Sequence, residues 1–482
     1  MEEIVSLHDK HQFEVKLGYP LKRTQKETSY HLSLYLFTPY TLGIKPPNYT
    51  KEDFYRDLHT YVRFKTPQYS LSQIHLGENC FFSQLGNRIA KLMHNPTEKN
   101  IKDYEYYIKL FGCILKSSLR DEAEFIKDQA SESERDFLIQ EYYRNVSSII
   151  SLYRSFIKKI NTPYLSSQIR LIYAFGDEYA SQVVEFHTLK LLDWMGKNKL
   201  SYHYQAISEL LTQEREYRKK KGYAVYEAES DNEQAMLRKN MLKKYVSSIL
   251  FLDTRKKKTR FLEQLILSIA AGLAMVFATG IAFYYQSKYG TLTMGFFTAL
   301  VVSYMLKDRI KELAKQYLTH ETQKFAHDHS TEIYTHSKEK IGTSKESVNF
   351  MKSYHLPSSV LRLRNTKCLN EVEKYLPDER VIVYHKQLKI SSNHLKKAVH
   401  PLYAEGINDI IRINIFNFLK RMDNPDQSLL VLNKGKVSAV NGERVYNLNF
   451  VVRHGINVNS LKDHLFRIIL SKKGIKRIEP VI

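Results

Sequence analysis

The stretch that decides the architecture is LILSIAAGLAMVFATGIAFYY, which runs from Leu265 to Tyr285 and holds 21 residues without a charge. A helix of this length extends over about 30 Å, the thickness of the hydrocarbon core of a bilayer. A second uncharged run, YGTLTMGFFTALVVSYML, covers Tyr289 to Leu306. Two buried helices of a soluble protein are the alternative, but core helices of this length normally carry charge on one face. We therefore predict a transmembrane helical hairpin over residues 261–306, with spans at 265–285 and 289–306.

Small residues recur at every fourth position of both runs. Such spacing lets two helix backbones approach closely, which is the main packing device where lipid removes the hydrophobic driving force. We therefore expect the two helices to pack as an antiparallel pair. The same stripes, or a two-helix stalk formed by the cytoplasmic helices on either side of the hairpin (231–260 and 307–340), could support a homo-oligomer. The expected packing residues are Ala270, Ala274, Ala278, Ala282, Gly295, Ala299 and Ser303.

Basic residues flank both outer ends of the hairpin, whereas the loop between the runs contains only Lys288. The positive-inside rule places such flanks in the cytoplasm, where each cation gains about 1 kcal/mol beside anionic lipid headgroups. Residues 1–20 contain no apolar run, so we expect no cleaved signal peptide. The prediction is a multi-pass protein of the cytoplasmic (inner) membrane with both termini in the cytoplasm. The flanking residues are Arg255, Lys256, Lys257, Lys258, Arg260, Lys307 and Arg309.

The composition of the whole chain describes a globular protein with a basic surface. Among 482 residues, 43% are hydrophobic and 26% charged, which argues against a mainly disordered chain. Three cysteines exclude a disulfide scaffold and fit a reducing compartment. The net charge of +22 fits a protein held against anionic lipid, although nucleic acid is a competing partner for the same charge.

The predicted fold class is an α+β membrane protein with two cytoplasmic domains around the hairpin. Hydrophobic periodicity predicts long helices over 98–129, 131–160, 177–195 and 201–221, and a helix over 461–470. The predicted organisation is a mainly helical domain with a small β element (1–230), a juxtamembrane helix (231–260), the hairpin (261–306), a helical extension (307–340), a linker (341–370) and an α+β domain with a mostly antiparallel sheet (371–482).

The sequence offers no catalytic motif, and we predict neither a cofactor nor a metal site. The strongest polar set lies in the C-terminal region, where basic side chains on one face of a sheet could bind a phosphate or carboxylate group. The candidate anion-binding residues are Arg362, Arg364, His385, Arg412, Arg444, Arg453 and His454.

Three functions remain open at this point. The first is a non-enzymatic scaffold, sensor or interaction module at the membrane, favoured because the membrane signal is clear and catalytic motifs are lacking. The second is a membrane-tethered enzyme that acts on a phosphorylated or nucleotide-like substrate in the C-terminal domain. The third is nucleic-acid binding at the membrane, because segments such as 219–223 mix lysine with tyrosine.

Overall fold

The computed structural model describes residues 4–21, 26–129, 131–162, 165–200, 203–257, 260–290, 293–325, 327–335, 338–366, 379–398, 406–456 and 460–481. Over these residues the chain is α+β with antiparallel sheets. It divides into two compact units. The β unit comprises residues 1–61, 253–398 and 408–482, and the helical unit comprises residues 62–252 and 399–407.

Strands open and close the chain, and helices fill its middle. The helices are α1 (Lys51–Asp57), α2 (Leu71–His75), α3 (Phe81–His94), α4 (Glu98–Asp128), α5 (Glu132–Ser155), α6 (Ile157–Ile160), α7 (Ser167–Lys197), α8 (Tyr204–Lys221), α9 (Glu233–Ser247), α10 (Arg260–Tyr289), α11 (Met294–Phe325), α12 (Ser358–Asn365), α13 (Ser392–Ala398) and α14 (Phe416–Leu419). The strands are β1 (Val5–Leu7), β2 (Gln12–Pro20), β3 (Glu27–Thr38), β4 (Leu58–Phe64), β5 (Asp253–Lys257), β6 (His329–Tyr334), β7 (Lys340–Lys352), β8 (Arg380–Ser391), β9 (Gly406–Asn414), β10 (Asp426–Asn433), β11 (Lys436–Glu443), β12 (Tyr446–Gly455), β13 (Lys462–Ser471) and β14 (Gly474–Pro480).

The β unit is built on an antiparallel eight-stranded sheet with the order β14-β13-β12-β3-β8-β7-β6-β5. Strand β3 lies in its middle and pairs with β8 from Glu27 opposite Ser391 to Thr38 opposite Arg380. On its other edge β3 pairs with β12. The even-numbered residues of β3 are buried, and the odd-numbered residues up to Ser33 are exposed or half-buried, as the two-residue period of a strand requires.

A second sheet, with the order β1-β2-β9-β4, packs face to face against the large one. Phe13 of β2 meets Phe450 of β12 edge to face, with ring centroids 5.3 Å apart. Tyr19 of β2 stacks on Tyr30 of β3 at 4.4 Å. Aromatic contacts of this kind add to the free energy that the buried apolar area already provides. On the opposite face of the large sheet, Val360 of α12 closes a smaller apolar cluster.

The helical unit is organised around α4 and α7, each 31 residues long. Phe111 of α4, Tyr153 of α5 and Tyr173 of α7 stack in one row, with centroid distances of 4.8 and 5.1 Å. Gly176 of α7 allows this close approach, because a Cβ atom there would lie 2.6 Å from Cγ2 of Ile108. The core of this unit is therefore aromatic, and Gly176, like Gly112 of α4, permits its close packing.

The helices predicted over 98–129, 131–160, 177–195 and 201–221 are confirmed by α4, α5 with α6, α7 and α8. The helix predicted over 461–470 is wrong, because these residues belong to strand β13. A short apolar run of this kind fits either structure by periodicity. Pairing with β12 and β14 decides in favour of the strand.

The structure also differs from the expected organisation around the hairpin. The helix predicted over 231–260 ends at Ser247 with α9, and β5 follows. The extension predicted over 307–340 ends at Phe325, and β6 follows. The linker predicted over 341–370 contains strand β7 and helix α12. Within residues 371–482, only β10 and β11 form a sheet of their own among the described strands. Strands β8 and β12 instead pair with β3 from the start of the chain.

Candidate functional site

Helices α10 and α11 form an antiparallel hairpin that leaves the edge of the large sheet. Ser303 Oγ donates a hydrogen bond of 3.1 Å to the carbonyl oxygen of Ala278, so positions at nearly equal distance from the tip are in contact. Ala270 and Ala274 are fully buried against the neighbouring helix. Of the other small residues, Ala278, Ala282 and Ala299 are half-buried, and Gly295 is exposed. Small side chains therefore line most of the contact between the two helices.

The outer surface of the hairpin is apolar and exposed. Large apolar side chains on both helices have exposed fractions between 39% and 76%. Contiguous apolar surface of this extent marks a membrane or protein interaction site. These side chains are Leu265, Leu267, Ile269, Leu273, Met275, Val276, Phe277, Phe283, Met294, Phe297, Leu300, Val301, Val302, Met305 and Leu306.

Within the described residues, one helix is long and apolar enough to cross a membrane. This segment is Gln264–Lys288, with a mean hydropathy of 2.2. The prediction of two spans is not confirmed. Helix α11 begins at Met294, not at Tyr289, which leaves thirteen uncharged residues before Lys307. Thirteen residues extend over only about 20 Å, less than the hydrocarbon core.

The edge strand β5 of the large sheet and its neighbour β6 form the base of the hairpin. Strand β5 precedes α10 and strand β6 follows α11, and the two pair from Asp253 opposite Tyr334 to Lys257 opposite Ser330. Both ends of the hairpin therefore start from the same edge of one sheet. This strand pair accounts for the early ends of the two helices predicted beside the hairpin. Backbone N–H and C=O groups need hydrogen-bond partners, and β5 and β6 satisfy theirs by pairing with each other instead of continuing as helices.

Of the flanking basic residues, Arg255 and Lys256 lie in strand β5 at this base, whereas Lys307 and Arg309 lie within helix α11. The Arg255 guanidinium is 4.7 Å from the Tyr334 ring centroid, and the Lys307 ammonium is 4.5 Å from that of Tyr304. Arg255, Lys256 and Arg309 are exposed. Lys258 lies outside the described residues, as do the side chains of Lys257 and Arg260.

Three arginines of the predicted anion-binding set are each paired with a different carboxylate. Arg364 of α12 is buried and donates two hydrogen bonds, of 2.9 and 2.8 Å, to Glu379. Arg412 of β9 donates to Glu14 at 2.7 Å. Arg444 donates to Asp423 at 2.6 Å. Each of these guanidinium groups already has an anionic partner, which reduces its capacity to bind an added anion.

The large sheet brings two of the remaining residues together. Arg453 of β12 and His385 of β8 both lie opposite Ser33 of β3. His385 Nδ1 is 2.8 Å from Ser33 Oγ. Arg453 makes two hydrogen bonds, of 2.6 and 2.7 Å, with Asp463.

The last two residues of the set lie elsewhere. His454 stacks on His464 with ring centroids 5.4 Å apart, and burial together with His464 and Lys462 lowers the pKa of His454 to about 4. Arg362 is exposed on α12. The seven residues do not meet at one point.

A buried ionic group between the two sheets was not anticipated. Lys386 Nζ lies 2.7 Å from Asp409 Oδ1 and 3.9 Å from Glu346 Oε1. A signal for it exists in the sequence, because Lys386 is in phase with the inward residues Tyr384 and Leu388 of strand β8. A charged residue at an inward position of a strand calls for a buried partner.

The described residues contain no group of three or more His, Cys, Asp or Glu side chains that could hold a metal ion. Cys80 and Cys113 are buried free thiols. Burial raises the pKa of Cys113 to about 12, which keeps it protonated and unreactive at neutral pH. Cys368 lies outside the described residues.

Comparison with known proteins finds no relative of this chain. It matches no protein-family model, no curated protein and no solved structure.

Proposed function

We propose that this protein is a membrane-anchored scaffold, sensor or interaction module. Its hairpin of α10 and α11 inserts into the cytoplasmic (inner) membrane, and both termini stay in the cytoplasm. The observation that carries the proposal is the contrast between the two sides of the hairpin. Small side chains such as Ala274 are buried between the helices, while large ones such as Val276 and Phe283, both 71% exposed, point outward. Lipid is the environment in which this arrangement is favourable.

The pairing of β5 with β6 supports a common side for both ends of the hairpin. A strand pair cannot form across a bilayer, so a tip that enters the membrane leaves both flanks on the side of the β unit. The basic residues Arg255, Lys256 and Arg309 favour the cytoplasmic side.

The register of the two helices limits how deeply the hairpin inserts. Because Ser303 contacts Ala278, Lys307 lies nearly level with Ala274. The stretch that is apolar on both helices therefore extends over about 20 Å from the tip. Lys307 and Arg309 have side chains long enough to extend toward the headgroups. We propose that their aliphatic parts lie in the membrane and their charges lie at the interface.

The direct test is membrane association of the full chain. Expressed in bacterial cells, it should sediment with membranes and resist alkaline carbonate extraction. The variant Val276→Glu with Phe283→Glu places two carboxylates on the outer surface and should move the protein to the supernatant. The matched control is Tyr317→Glu, whose side chain is 68% exposed beyond the apolar stretch. Extraction of the wild-type chain by carbonate would contradict the anchor.

The depth of insertion is tested at the tip. In a chain with Cys368→Ser, the variant Ser287→Cys should react with an impermeant maleimide added to whole cells if the hairpin crosses the bilayer. Ser428→Cys, exposed in the β unit, should react only after lysis. Labelling of Ser428→Cys in intact cells would contradict the proposed orientation. Labelling of neither position would contradict a full crossing.

The other two functions receive less support. The membrane-tethered enzyme requires converging basic side chains, whereas Arg364, Arg412 and Arg444 are each paired with a different carboxylate. Nucleic-acid stacking requires free aromatic faces next to lysines. Tyr223, in the segment that suggested it, is half-buried, and its ring packs edge to face against Tyr217 with centroids 6.4 Å apart.

A further inference from the structure

The helical unit contains a cavity of about 290 Å³. Helices α4, α7 and α9 contribute its walls. Its floor is buried, with Tyr179, Gln182, Val183 and His187 between 5% and 8% exposed. Its mouth is open, since Met236 is 50% exposed. The volume lies near the lower end of the range for small-molecule sites.

Two polar side chains on the floor have atoms without a partner among the described residues. Gln182 Oε1 and His187 Nε2 are buried and make no hydrogen bond. The amide nitrogen of Gln182 donates to Glu178 Oε1 at 3.4 Å, which leaves its oxygen as a free acceptor. Buried polar atoms in folded proteins nearly always have a partner, so each exception needs an explanation. A ligand with a hydrogen-bond donor would supply a partner for the Gln182 oxygen.

The charge around the cavity is positive. Among the described residues, Lys116, Lys239 and Lys243 contribute to its lining and no carboxylate does. Partial burial and the nearby charge of Lys243 lower the pKa of Lys116. Burial, followed by Lys116 and other cations, lowers the pKa of His187 to about 4. Two acids of α7 near the lining residues already have cationic partners, since Glu178 is bound to Arg238 at 2.7 Å and Glu185 is bound to Arg218. An anion in the cavity would relieve this excess of like charge.

The remaining lining is apolar. Val183 and Tyr179 form a fixed wall, while Met236 and Phe186 line the mouth. Methionine adapts its shape to irregular apolar groups. The ammonium of Lys239 lies 4.9 Å from the Phe186 ring centroid, so a cation and an aromatic ring flank the entrance together. The cavity thus combines an apolar body with a cationic rim.

We propose that this cavity binds a small organic anion that has an apolar body and a hydrogen-bond donor. Lys116 and Lys243 contact the charged group, the apolar wall contacts the body, and Gln182 accepts a hydrogen bond from the donor. Binding at this site would regulate a protein held at the membrane. The site itself does not depend on the membrane anchor.

The test uses the full chain in lipid nanodiscs and isothermal titration calorimetry. The main probe is 4-hydroxyphenylacetate, which has one ring, one hydroxyl and one carboxylate. The second probe, 4-hydroxyphenyl phosphate, keeps the ring and the hydroxyl and tests a phosphate as the anionic group. Tyramine has the same ring and hydroxyl with a positive charge, and inorganic phosphate has no apolar body. Empty nanodiscs provide the correction for partition into lipid.

We expect 4-hydroxyphenylacetate or 4-hydroxyphenyl phosphate to bind at least about tenfold more tightly than tyramine and than inorganic phosphate. The variant Lys116→Gln with Lys243→Gln should weaken anion binding by about tenfold or more, since both charges are removed. The matched control is Lys244→Gln, an exposed neighbour on α9 that does not line the cavity. It should bind like the wild type.

The proposal would be overturned if tyramine bound as tightly as the anions. It would also be overturned if neither organic anion bound detectably, since water would then be the occupant of the cavity. So would a Lys116 and Lys243 variant that binds normally. The unfolding temperature of each variant, measured alongside, should stay at the wild-type value, so that lost binding reports the cavity and not lost folding. Because carbonate extraction tests the anchor separately, the two proposals can fail independently.

Discussion

Lys386 and Asp409 form an ion pair of 2.7 Å between the two sheets of the β unit, where both side chains are 1% exposed. Glu346 lies 3.9 Å from the same ammonium. The pair joins a strand of the large sheet to a strand of the small one. Removing two charges from water is costly, so such a pair contributes little net stability but makes the loss of one partner severe.

Replacing one partner of this pair should destabilise the protein. Asp409→Asn leaves the Lys386 ammonium buried without its closest carboxylate, and we expect a loss of about 3–5 kcal/mol. Lys386→Met with Asp409→Leu removes both charges and should cost far less. The midpoint of unfolding, followed by circular dichroism, measures both. A double variant as unstable as the single one would contradict this account.

The packing of α7 against α4 and α5 predicts whether each of two glycine-to-alanine substitutions raises or lowers the stability of the helical unit. Alanine normally favours a helix over glycine. At Gly176, however, a Cβ atom would lie 2.6 Å from Cγ2 of Ile108, so Gly176→Ala should destabilise the helical unit by about 1–3 kcal/mol. Gly196→Ala on the same helix is the control, because its nearest contact is 4.0 Å away. It should be neutral or stabilising, and the unfolding temperature distinguishes the two.

The stacked pair His454 and His464 predicts loss of stability in acid. The pKa of His454 is about 4 in the fold and 6.5 as its ordinary value, chiefly because of burial. Between these pH values the unfolded chain takes up a proton that the folded chain does not. The free energy of unfolding therefore falls as the pH falls from 6.5 to 4. His454→Gln should reduce this pH-dependent loss in the free energy of unfolding by about 1–2 kcal/mol between pH 6.5 and pH 4. Urea unfolding at several pH values measures it.

The control for this variant is His355→Gln, at an exposed position on the β unit. It should keep the wild-type pH dependence. A His454→Gln protein with an unchanged slope would show that the stacked pair does not titrate as its burial requires.

The register of the hairpin predicts a disulfide. Ser303 Oγ lies 3.1 Å from the backbone of Ala278. In membranes, the pair Ala278→Cys with Ser303→Cys should oxidise to an intramolecular bond that mass spectrometry of peptides detects. The control pair joins Ala278→Cys to Met305→Cys, whose native side chain is 69% exposed on the outer surface. Equal oxidation of both pairs would contradict the register.

The prediction of the long helices from the sequence succeeded for a physical reason. A helix is stabilised by contacts three and four residues apart, so its pattern is present in the local sequence. For the same reason the apolar run of α10 could be identified directly. Strand β13 was predicted as a helix because the hydrophobic pattern of its ten residues fits either a helix or a strand. Only the neighbouring strands decide between the two structures.

The arrangement of the candidate anion-binding residues could not be predicted from the sequence. The sequence shows that Arg364, Arg412 and Arg444 carry charge, but it does not show that Glu379, Glu14 and Asp423 lie beside them. Two of these partners are more than ten residues away, and Glu14 is separated from Arg412 by almost the whole chain. Residues of the cavity, such as Lys116 and His187, were missed because they come from different helices and form no motif.

By itself, the sequence determined that this protein has an apolar hairpin, long helices in its first half and a basic surface, because each depends on residues close together along the chain. Only the tertiary structure decided that strand β3 pairs with β8 and β12, more than 300 residues later. The same holds for the paired strands at the base of the hairpin and for the cationic cavity of the helical unit. Strand pairing and cavity lining are set by long-range packing, which local periodicity does not encode.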